Sequence, residues 1–380
     1  MIKVSLLYAK SGGGHLSLAK ATEDALNTYY PRQFEFSYFD PFPRIYQAAY
    51  RRFGSDFQTI YGTLFRATNN SSSATAIHYP NQQLINRKLT RYFKETTPDV
   101  VISNNPLVTS EIKPALISAR VPAKIAFYIA DPFTPHRLWF SEKNADLYLS
   151  PSMEATQLAI DSSLPPQRIK TVGWLTRKDF FACPYPAAPI RKTLGLDPKK
   201  LILFVGGAGQ GGGKIYNLCQ KLLQNPQIAS SCQVIVNTGL NPELATRIIR
   251  LSEKNPGFFH IVPYAFNMPH LLSVADLAIG KAGPNFLFES IHSLTPFFAT
   301  GCLPGQEDGN LDFIKKSGIG WVSPDINQAV RLISQIVSDP KLLKSKQQIV
   351  KKIKHQHLQA PHLVAREIAR LAGGHRRLLF

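Results

Sequence analysis

Three short segments of the chain carry residue types that suit phosphate binding and proton removal. The first is Ser11-Gly12-Gly13-Gly14-His15, which follows an apolar run and precedes a helical pattern. Glycines let the backbone approach a ligand closely, and the N–H groups at a helix N-terminus attract negative charge. A histidine at the same point can accept a proton near neutral pH, so His15 is a candidate base. A tight turn between a strand and a helix would use the same glycines, with the histidine incidental.

The second segment is the glycine-rich loop at residues 205–214, which includes Gly206 and Gly207. It is not a P-loop, because Ala208 stands where the first glycine is required and Ile215 replaces the Ser or Thr. It also lacks the G-x-G-x-x-G spacing followed by an acidic residue about 20 positions later. The loop therefore indicates a ligand-binding edge without defining the nucleotide.

The third segment begins with Lys281-Ala282-Gly283-Pro284, which follows a strand-like run and opens a helix. Proline is tolerated in the first turn of a helix, and the N–H groups there can bind a diphosphate. Glu289 lies about a turn and a half into that helix, where its carboxylate can accept both hydroxyls of a ribose. Residues 303–310 then form a turn rich in partners for sugar hydroxyls. The ordered set indicates a sugar-nucleotide site.

Apolar, β-branched runs alternate with longer helical patterns along the chain, which is typical of parallel sheets built from βα units. A proline-rich linker is predicted at residues 180–189. We therefore predict an α/β fold of two Rossmann-like, doubly wound domains, residues 1–178 and 190–357, facing a central cleft. A C-terminal helix, residues 358–380, is expected to cross back to the first domain. The eleven predicted strands are 4–9, 34–39, 100–103, 125–130, 147–150, 169–172, 201–205, 233–237, 259–262, 277–280 and 296–300.

The length and composition agree with two globular domains in a reducing compartment. The chain has 380 residues, 44% of them hydrophobic, and four cysteines without a close pair or a metal-ligand spacing. No signal peptide is recognisable, and no apolar run reaches the roughly 20 residues of a spanning helix. We therefore predict a cytoplasmic protein that does not cross a membrane.

The net charge of +19 is concentrated in two regions. Residues 41–94 carry a net charge of +7, and residues 341–380 carry +9. Such patches favour an anionic partner, which is either a nucleic acid or the anionic inner face of a cell membrane. The chain shows no spacing typical of a zinc finger or a helix-turn-helix module, which argues against nucleic acid as the partner.

An aromatic stripe at helical spacing lies inside the first basic region. Its members are Tyr46, Tyr50, Phe53, Phe57, Tyr61 and Phe65. Arg51 and Arg52 flank it, so the segment is typical of an interfacial helix with rings in the acyl boundary and arginines on headgroups. The alternative is a core helix, since such stripes often pack inside a domain.

The first and third segments, together with Asp131, His136 and Trp139, resemble the monogalactosyldiacylglycerol synthase family. Its bacterial relatives include processive diacylglycerol glucosyltransferases, and a more distant relative is the peptidoglycan lipid-intermediate N-acetylglucosaminyltransferase. The resemblance extends over residues 4–320. It implies the GT-B architecture, an inverting mechanism without a metal or cofactor, a substrate such as UDP-glucose or UDP-galactose, and diacylglycerol in an anionic membrane as the acceptor.

The resemblance also implies roles for individual residues. His15 matches the family's base, Asp131 its acceptor-side carboxylate, and Gly13 and Gly14 its acceptor loop. Gly283 and Pro284 would contact the diphosphate, Glu289 the ribose, Met268 the uracil, and Gln306 and Glu307 the sugar. Gly206, Gly207 and Lys281 complete the expected donor site. The expected membrane contacts are Tyr50, Arg51, Arg52 and Phe57.

The sequence therefore predicts transfer of a hexose from a UDP-sugar to diacylglycerol at the inner face of the cell membrane. Three alternatives remain open. They are a peptidoglycan-type N-acetylglucosaminyltransferase with a lipid-linked sugar acceptor, a sugar-nucleotide epimerase on the same architecture, and a nucleic-acid-binding protein that uses the basic regions.

Overall fold

The structure is a computed structural model, and it describes residues 1–10, 13–43, 58–70, 82–206, 215–262 and 267–373. The chain forms two compact units. The first unit comprises Met1–Lys178, Pro304–Gln306 and the residues from His357 onward. The second unit comprises Asp179–Leu303 and Glu307–Gln356.

The first unit is built on a parallel sheet of six strands. These are β1 Ile2–Leu7, β2 Phe34–Phe39, β3 Val100–Ser103, β4 Lys124–Tyr128, β5 Leu147–Ser150 and β6 Ile169–Thr171. Their order is β2-β1-β3-β4-β5-β6, so the winding reverses between β1 and β3. In doubly wound sheets, ligands bind beyond the carboxyl ends of the strands at such a switch point.

Helices cover the faces of the first sheet. They are α1 Gly14–Tyr29, α2 Gln58–Thr68, α3 Gln82–Thr96, α4 Thr109–Ala119 and α5 Met153–Asp161. Val100, Val101 and Ile102 are at most 2% exposed, as expected for strands covered on both faces. The last helix of the chain also belongs to this unit, since its Val364 and Ile368 lie in the same apolar core as Leu18 and Leu26 of α1.

The second unit is built on another parallel sheet of six strands. These are β7 Leu201–Gly206, β8 Cys232–Asn237, β9 Phe259–Val262, β10 Leu277–Lys281, β11 Phe297–Gly301 and β12 Gly320–Val322. Their order is β12-β11-β10-β7-β8-β9, the order of the Rossmann fold, with the switch point between β7 and β10. Gly280 and Gly206 face each other there, and a Cβ at Gly280 would lie 1.9 Å from the Gly206 carbonyl oxygen. Only glycine therefore lets these strands pair.

The remaining helices begin in the second unit and end with the return to the first. They are α6 Ala187–Thr193, α7 Ile215–Gln224, α8 Pro226–Ser231, α9 Pro242–Glu253, α10 Met268–Val274, α11 Pro284–His292, α12 Asp308–Ser317, α13 Ile326–Ser338, α14 Pro340–His357 and α15 Ala360–Gly373. The predicted α/β class with two doubly wound sheets is confirmed. All eleven predicted strands correspond to observed ones, and β12 was missed. The central cleft stays a prediction.

Candidate active site

His15 and Asn104 lie at the carboxyl edge of the first sheet, where β1 and β3 end side by side. Leu7 and Ser103 are paired as the last residues of these strands. The His15 ring nitrogen Nδ1 lies 2.6 Å from the Asn104 carbonyl oxygen. The Asn104 side-chain nitrogen Nδ2 donates to the His15 carbonyl oxygen at 2.7 Å. Two reciprocal hydrogen bonds thus join the residues across the switch point.

The hydrogen bond to Asn104 determines how His15 can titrate. A carbonyl oxygen only accepts, so Nδ1 carries the proton and Nε2 is the basic nitrogen. Burial lowers the pKa of His15, while the hydrogen bond to Asn104 and the charge of Asp40 oppose this shift without reversing it. The ring is therefore neutral at neutral pH, with a lone pair on Nε2.

Gly13 and Gly14 provide open space beside His15. Gly13 precedes α1 with a φ of 88°, a left-handed conformation that favours glycine. Gly13 has no side chain that could cap α1, and among the described residues a Cβ at Gly13 would meet no atom within 4 Å. The predicted acceptor loop is thus exposed at these two glycines. Ser11 and Gly12 lie outside the described residues.

Asp131 lies beyond the end of β4 and is only 5% exposed. Its Oδ2 accepts a hydrogen bond from Trp139 Nε1 at 2.7 Å, and its Oδ1 accepts one from Gln306 Nε2 at 2.7 Å. The hydroxyl of Tyr61 donates to Gln306 Oε1 at 2.6 Å. The structure thus brings Asp131 and Gln306 together within the first unit. The carboxylate that acts on the pKa of His15 is instead that of Asp40.

The described end of the aromatic stripe lies on α2. Tyr61 bonds Gln306, and the ring of Phe65 packs edge-on against His136 with centroids 4.8 Å apart. Ile60 and Leu64, each one residue before Tyr61 and Phe65, are more exposed, at 50% and 52%. Tyr61 and Phe65 are thus half-buried against neighbouring side chains, and the choice between a core helix and an interfacial helix stays open. The predicted membrane contacts Tyr50, Arg51, Arg52 and Phe57 lie outside the described residues.

Gly206 and Met268 lie near each other at the carboxyl edge of the second sheet, linked by Asn237. Gly206 ends β7, and Asn237 ends β8 beside it. The Asn237 side-chain nitrogen Nδ2 lies 3.3 Å from the sulfur of Met268, at the start of α10. The Cβ of Asn237 is 3.2 Å from where a Cβ of Gly206 would stand. Gly207 lies outside the described residues.

Lys281 and Glu307 form an ion pair at the end of β10. The Lys281 ammonium donates to both Glu307 oxygens, at 2.7 and 2.9 Å. The Leu303 backbone N–H also donates to Glu307, at 2.6 Å. Glu307 is 5% exposed, so the pair is buried at its carboxylate end. Both residues are predicted to contact the donor, which stays a prediction, and the structure shows that they bind each other.

Gly283 and Pro284 begin α11 directly after this ion pair. Pro284 is the first helical residue, and the residue before it, Gly283, has no side chain that could cap the helix. A Cβ at Gly283 would stand 3.9 Å from the Lys281 ammonium, so the cation lies close to the helix N-terminus. Glu289 is half-buried further along the same helix. Helix N–H groups and an ammonium together make a site for an anion such as a diphosphate.

Two residues at the carboxyl edges of the sheets, Asn104 and Asn237, were not predicted as site residues from the sequence. Each directly follows or ends an apolar strand run, and that position is the signal that could have found them. Among the described residues, no group of three or more His, Cys, Asp or Glu side chains is placed to hold a metal ion. Within the same ranges, no helix has the length and hydrophobicity to span a membrane.

Two family models match the chain. The monogalactosyldiacylglycerol (MGDG) synthase model matches residues 17–174, and the glycosyltransferase family 28 C-terminal domain matches residues 201–298. The first match covers most of the first sheet, and the second covers strands β7 to β10 and the first two residues of β11.

Curated relatives include plant and bacterial enzymes. Monogalactosyldiacylglycerol synthase 1 of Arabidopsis thaliana is 27% identical over 358 residues, which cover 89% of this chain and 64% of that protein. A processive diacylglycerol beta-glucosyltransferase of Bacillus mycoides is 25% identical over 262 residues, 69% of this chain and 66% of that protein. The match thus spans less than two thirds of the length of these relatives.

Solved structures share the fold at low sequence identity. Anabaena HepE in complex with UDP-glucose has a TM-score of 0.60 at 14% identity, over 97% of this chain and 100% of that one. MurG of Acinetobacter baumannii has a TM-score of 0.61 at 14% identity, with the same coverage. The two sheets are those of the GT-B glycosyltransferase fold. The chain is thus similar to the monogalactosyldiacylglycerol synthases and processive diacylglycerol glucosyltransferases, through a family model matched over residues 17–174 and curated relatives at 25–27% identity.

Proposed function

We propose that the chain is an inverting glycosyltransferase that moves a hexose from a UDP-sugar to the free hydroxyl of diacylglycerol. The lipid oxygen attacks the anomeric carbon, and the bond from that carbon to the β-phosphate oxygen breaks. The hydroxyl proton passes to Nε2 of His15, and UDP leaves. The configuration at the anomeric carbon is inverted, and the UDP-sugar is a substrate, so no resident cofactor is required.

The observation that carries the proposal is the hydrogen bond of 2.6 Å between His15 Nδ1 and the Asn104 carbonyl. It leaves Nε2 as the only basic nitrogen of a ring whose pKa is lowered by burial. A neutral imidazole beside the open space at Gly13 is what a general base for a hydroxyl requires. An epimerase acting on the sugar alone would need no open acceptor loop there.

The donor would bind at the edge of the second sheet. Its diphosphate would accept hydrogen bonds from the first turn of α11 and attract the Lys281 ammonium, which stabilises the negative charge that develops as UDP leaves. The ribose would lie toward Glu289, and the uracil toward Met268 and Asn237. The position of Lys281, with its ammonium close to Gly283 at the start of α11, supports this placement.

The names of the relatives support two candidate sugars for the donor. The Arabidopsis relative is a monogalactosyldiacylglycerol synthase and the Bacillus relative is a beta-glucosyltransferase. We therefore take UDP-galactose and UDP-glucose as the two candidate donors for this chain. Both are hexoses on the same nucleotide, so the diphosphate and uracil contacts proposed here serve either one.

The acceptor would be reached at the cytoplasmic face of an anionic cell membrane. Two apolar side chains of α2, Ile60 and Leu64, are half-exposed on one helix face, and Arg66 is exposed on the same helix. Exposed aliphatic side chains on a helix that also carries an exposed cation suit insertion at an anionic interface. The net charge of +19 adds a long-range attraction to such a surface.

One assay tests the proposed function. The purified protein receives UDP-glucose, UDP-galactose or UDP-N-acetylglucosamine with diacylglycerol in anionic vesicles, and mass spectrometry identifies the lipid products. We expect a hexosyl-diacylglycerol from at least one of the two UDP-hexoses. The matched control is the His15→Ala protein, which should give little product.

Other outcomes would replace the proposal. Product only from UDP-N-acetylglucosamine and a lipid-linked saccharide would establish the peptidoglycan-type transferase. A changed sugar nucleotide without any acceptor would establish an epimerase. Salt-resistant binding to DNA, with no sugar transfer to any lipid, would establish a nucleic-acid-binding protein.

A further inference from the structure

The carboxylate of Glu307 is almost fully engaged by the protein itself. A carboxylate offers about four acceptor positions. Three are used here, two by the Lys281 ammonium and one by the Leu303 N–H. The side chain is 7% exposed, so little of it is open to a sugar hydroxyl. These contacts are those of a side chain that orients a neighbouring residue.

The neighbour that Glu307 orients is the Lys281 ammonium. An ammonium has three N–H donors, and Glu307 accepts from it at two oxygens. The side chain of Lys281 is 32% exposed, so its cation reaches the surface while its partner stays buried. The Nζ atom would lie 3.9 Å from a Cβ at Gly283, the residue that precedes α11. The cation is therefore fixed beside the helix N-terminus.

Asn310 holds the backbone of the same turn. Its side-chain nitrogen Nδ2 donates to the Ala282 carbonyl oxygen at 2.7 Å, and Asn310 is 1% exposed. The Ala282 N–H donates to the Gly301 carbonyl at 2.8 Å. Glu307 and Asn310 thus reach from the start of α12 to two consecutive residues of the turn between β10 and α11. Both contacts act on the turn that precedes the helix N-terminus.

We infer that Glu307 is a positioning residue for the diphosphate-binding cation Lys281, and that Asn310 shapes the same turn, with neither residue selecting the sugar. This inference rests on the proposed UDP-sugar donor. The ion pair with the buried Glu307 restricts the Lys281 side chain before any ligand binds. Less conformational entropy is therefore lost when Lys281 contacts a diphosphate. The ligand recognised here is the nucleoside diphosphate, whatever sugar it carries.

The test compares Glu307→Gln with the unchanged protein by calorimetric titration with UDP, UDP-glucose and uridine. Glutamine keeps the shape of the side chain and removes its charge. We expect the affinities for UDP and UDP-glucose to fall by the same factor, at most roughly tenfold, which is the cost of ordering one long side chain on binding. Uridine has no phosphate, so its affinity should not change. A general loss of structure would lower all three affinities.

A sugar ligand would give a different pattern. If Glu307 bound the sugar, Glu307→Gln would lower the affinity for UDP-glucose and leave the affinity for UDP unchanged. That result, or a UDP affinity that is unchanged or tighter, overturns the inference. If the unchanged protein binds neither UDP nor UDP-glucose, the proposed function fails together with the inference, so the two failures are distinguishable. Glu253→Gln, an exposed carboxylate on α9, is the matched control.

A double variant keeps the test decisive if Glu307→Gln is unstable. Lys281→Met with Glu307→Gln removes both charges, so no buried charge is left unpaired. The readout is the ratio of UDP-glucose to UDP affinity in this protein and in Lys281→Met alone. Equal ratios support a role of Glu307 through Lys281. A lower ratio in the double variant shows a direct sugar contact and overturns the inference.

Discussion

The backbone carbonyl of Asn104 accepts the His15 Nδ1 proton while the Asn104 amide donates to the carbonyl of His15. The first bond selects the tautomer, and the second fixes the backbone from which the ring projects. Because Asn104 directly follows β3, the orientation of the ring depends on a rigid sheet edge.

Replacing His15 with alanine should remove the base and leave donor binding intact. We expect kcat to fall about 10²–10⁴-fold, the usual range for loss of a general base. The affinity for UDP, measured by calorimetry, should not change, since the proposed donor contacts lie on the second sheet. His355→Ala, at an exposed histidine of α14, is the control. A variant that retains most of its rate would remove His15 from the mechanism.

The pH dependence of kcat should report the neutral form of His15. A lowered pKa means that the ring is protonated, and unable to act as a base, only in acid below pH 6.5. The rate should therefore rise with pH, reach half its maximum below pH 6.5, and then level off. Asp40→Asn removes a charge that raises this pKa, so the half-maximal point should move to still lower pH. A midpoint above pH 6.5 would contradict the assignment.

Substitution by alanine should have different effects at two glycines that lie three residues apart, Gly280 and Gly283. A Cβ at Gly283 would lie 3.6 Å from the Glu307 carboxylate, which is ordinary contact, so Gly283→Ala should fold. Its methyl group would separate a diphosphate from the helix N–H groups and weaken UDP binding about ten- to a hundredfold. Gly280→Ala places a Cβ 1.9 Å from the Gly206 carbonyl oxygen and should prevent normal folding. Circular dichroism and calorimetry measure the two effects.

Unchanged UDP affinity in a folded Gly283→Ala protein would place the diphosphate elsewhere. A folded Gly280→Ala protein with an unaltered thermal unfolding midpoint would show that the β7–β10 pairing can shift to accept a side chain.

Replacing Ile60 and Leu64 with serine should weaken membrane binding without unfolding the protein, since both side chains are half-exposed. We expect the partition into anionic vesicles, measured by co-sedimentation, to fall roughly tenfold or more, because apolar burial of such side chains contributes about 1.5–3 kcal/mol each. Thr59→Ser with Thr63→Ser, on exposed positions of the same helix, is the control. Activity on a short-chain, detergent-dispersed acceptor should be retained.

Normal vesicle binding by the folded double serine variant would show that this face of α2 is not the membrane-docking surface. Docking would then have to lie in residues 44–57 or in the basic region beyond Lys341. Tyr61 and Phe65 are unsuitable for such a test, because they pack into the first unit and their loss would disturb its structure.

The strands were predictable because burial on both faces demands continuous apolar runs, and β3 is such a run. The strand β12, Gly320–Val322, was missed because three residues that begin with glycine give no pattern. The aromatic spacing showed that Tyr61 and Phe65 share one helix face. It could not show which face turns inward, because that depends on Gln306, 245 residues from Tyr61.

At the carboxyl edge of the second sheet, too, some features were predictable from the sequence and others were not. A helix opening at Pro284 after a strand was readable from the residue types alone. The pairing of Lys281 with Glu307 was not, since the two are 26 residues apart and meet only because α12 begins beside the end of β10. Family resemblance assigned Glu307 to the sugar, and no local pattern could have indicated its buried partner.

The return of α15 to the first unit makes the second unit an insertion within the first. During synthesis the chain has to complete residues 179–356 before Val364 and Ile368 exist to cover the apolar side of α1. The second unit, by contrast, is complete in one stretch of chain apart from three residues. It can therefore acquire its core on the ribosome first, while the earlier-made unit waits for its final helix.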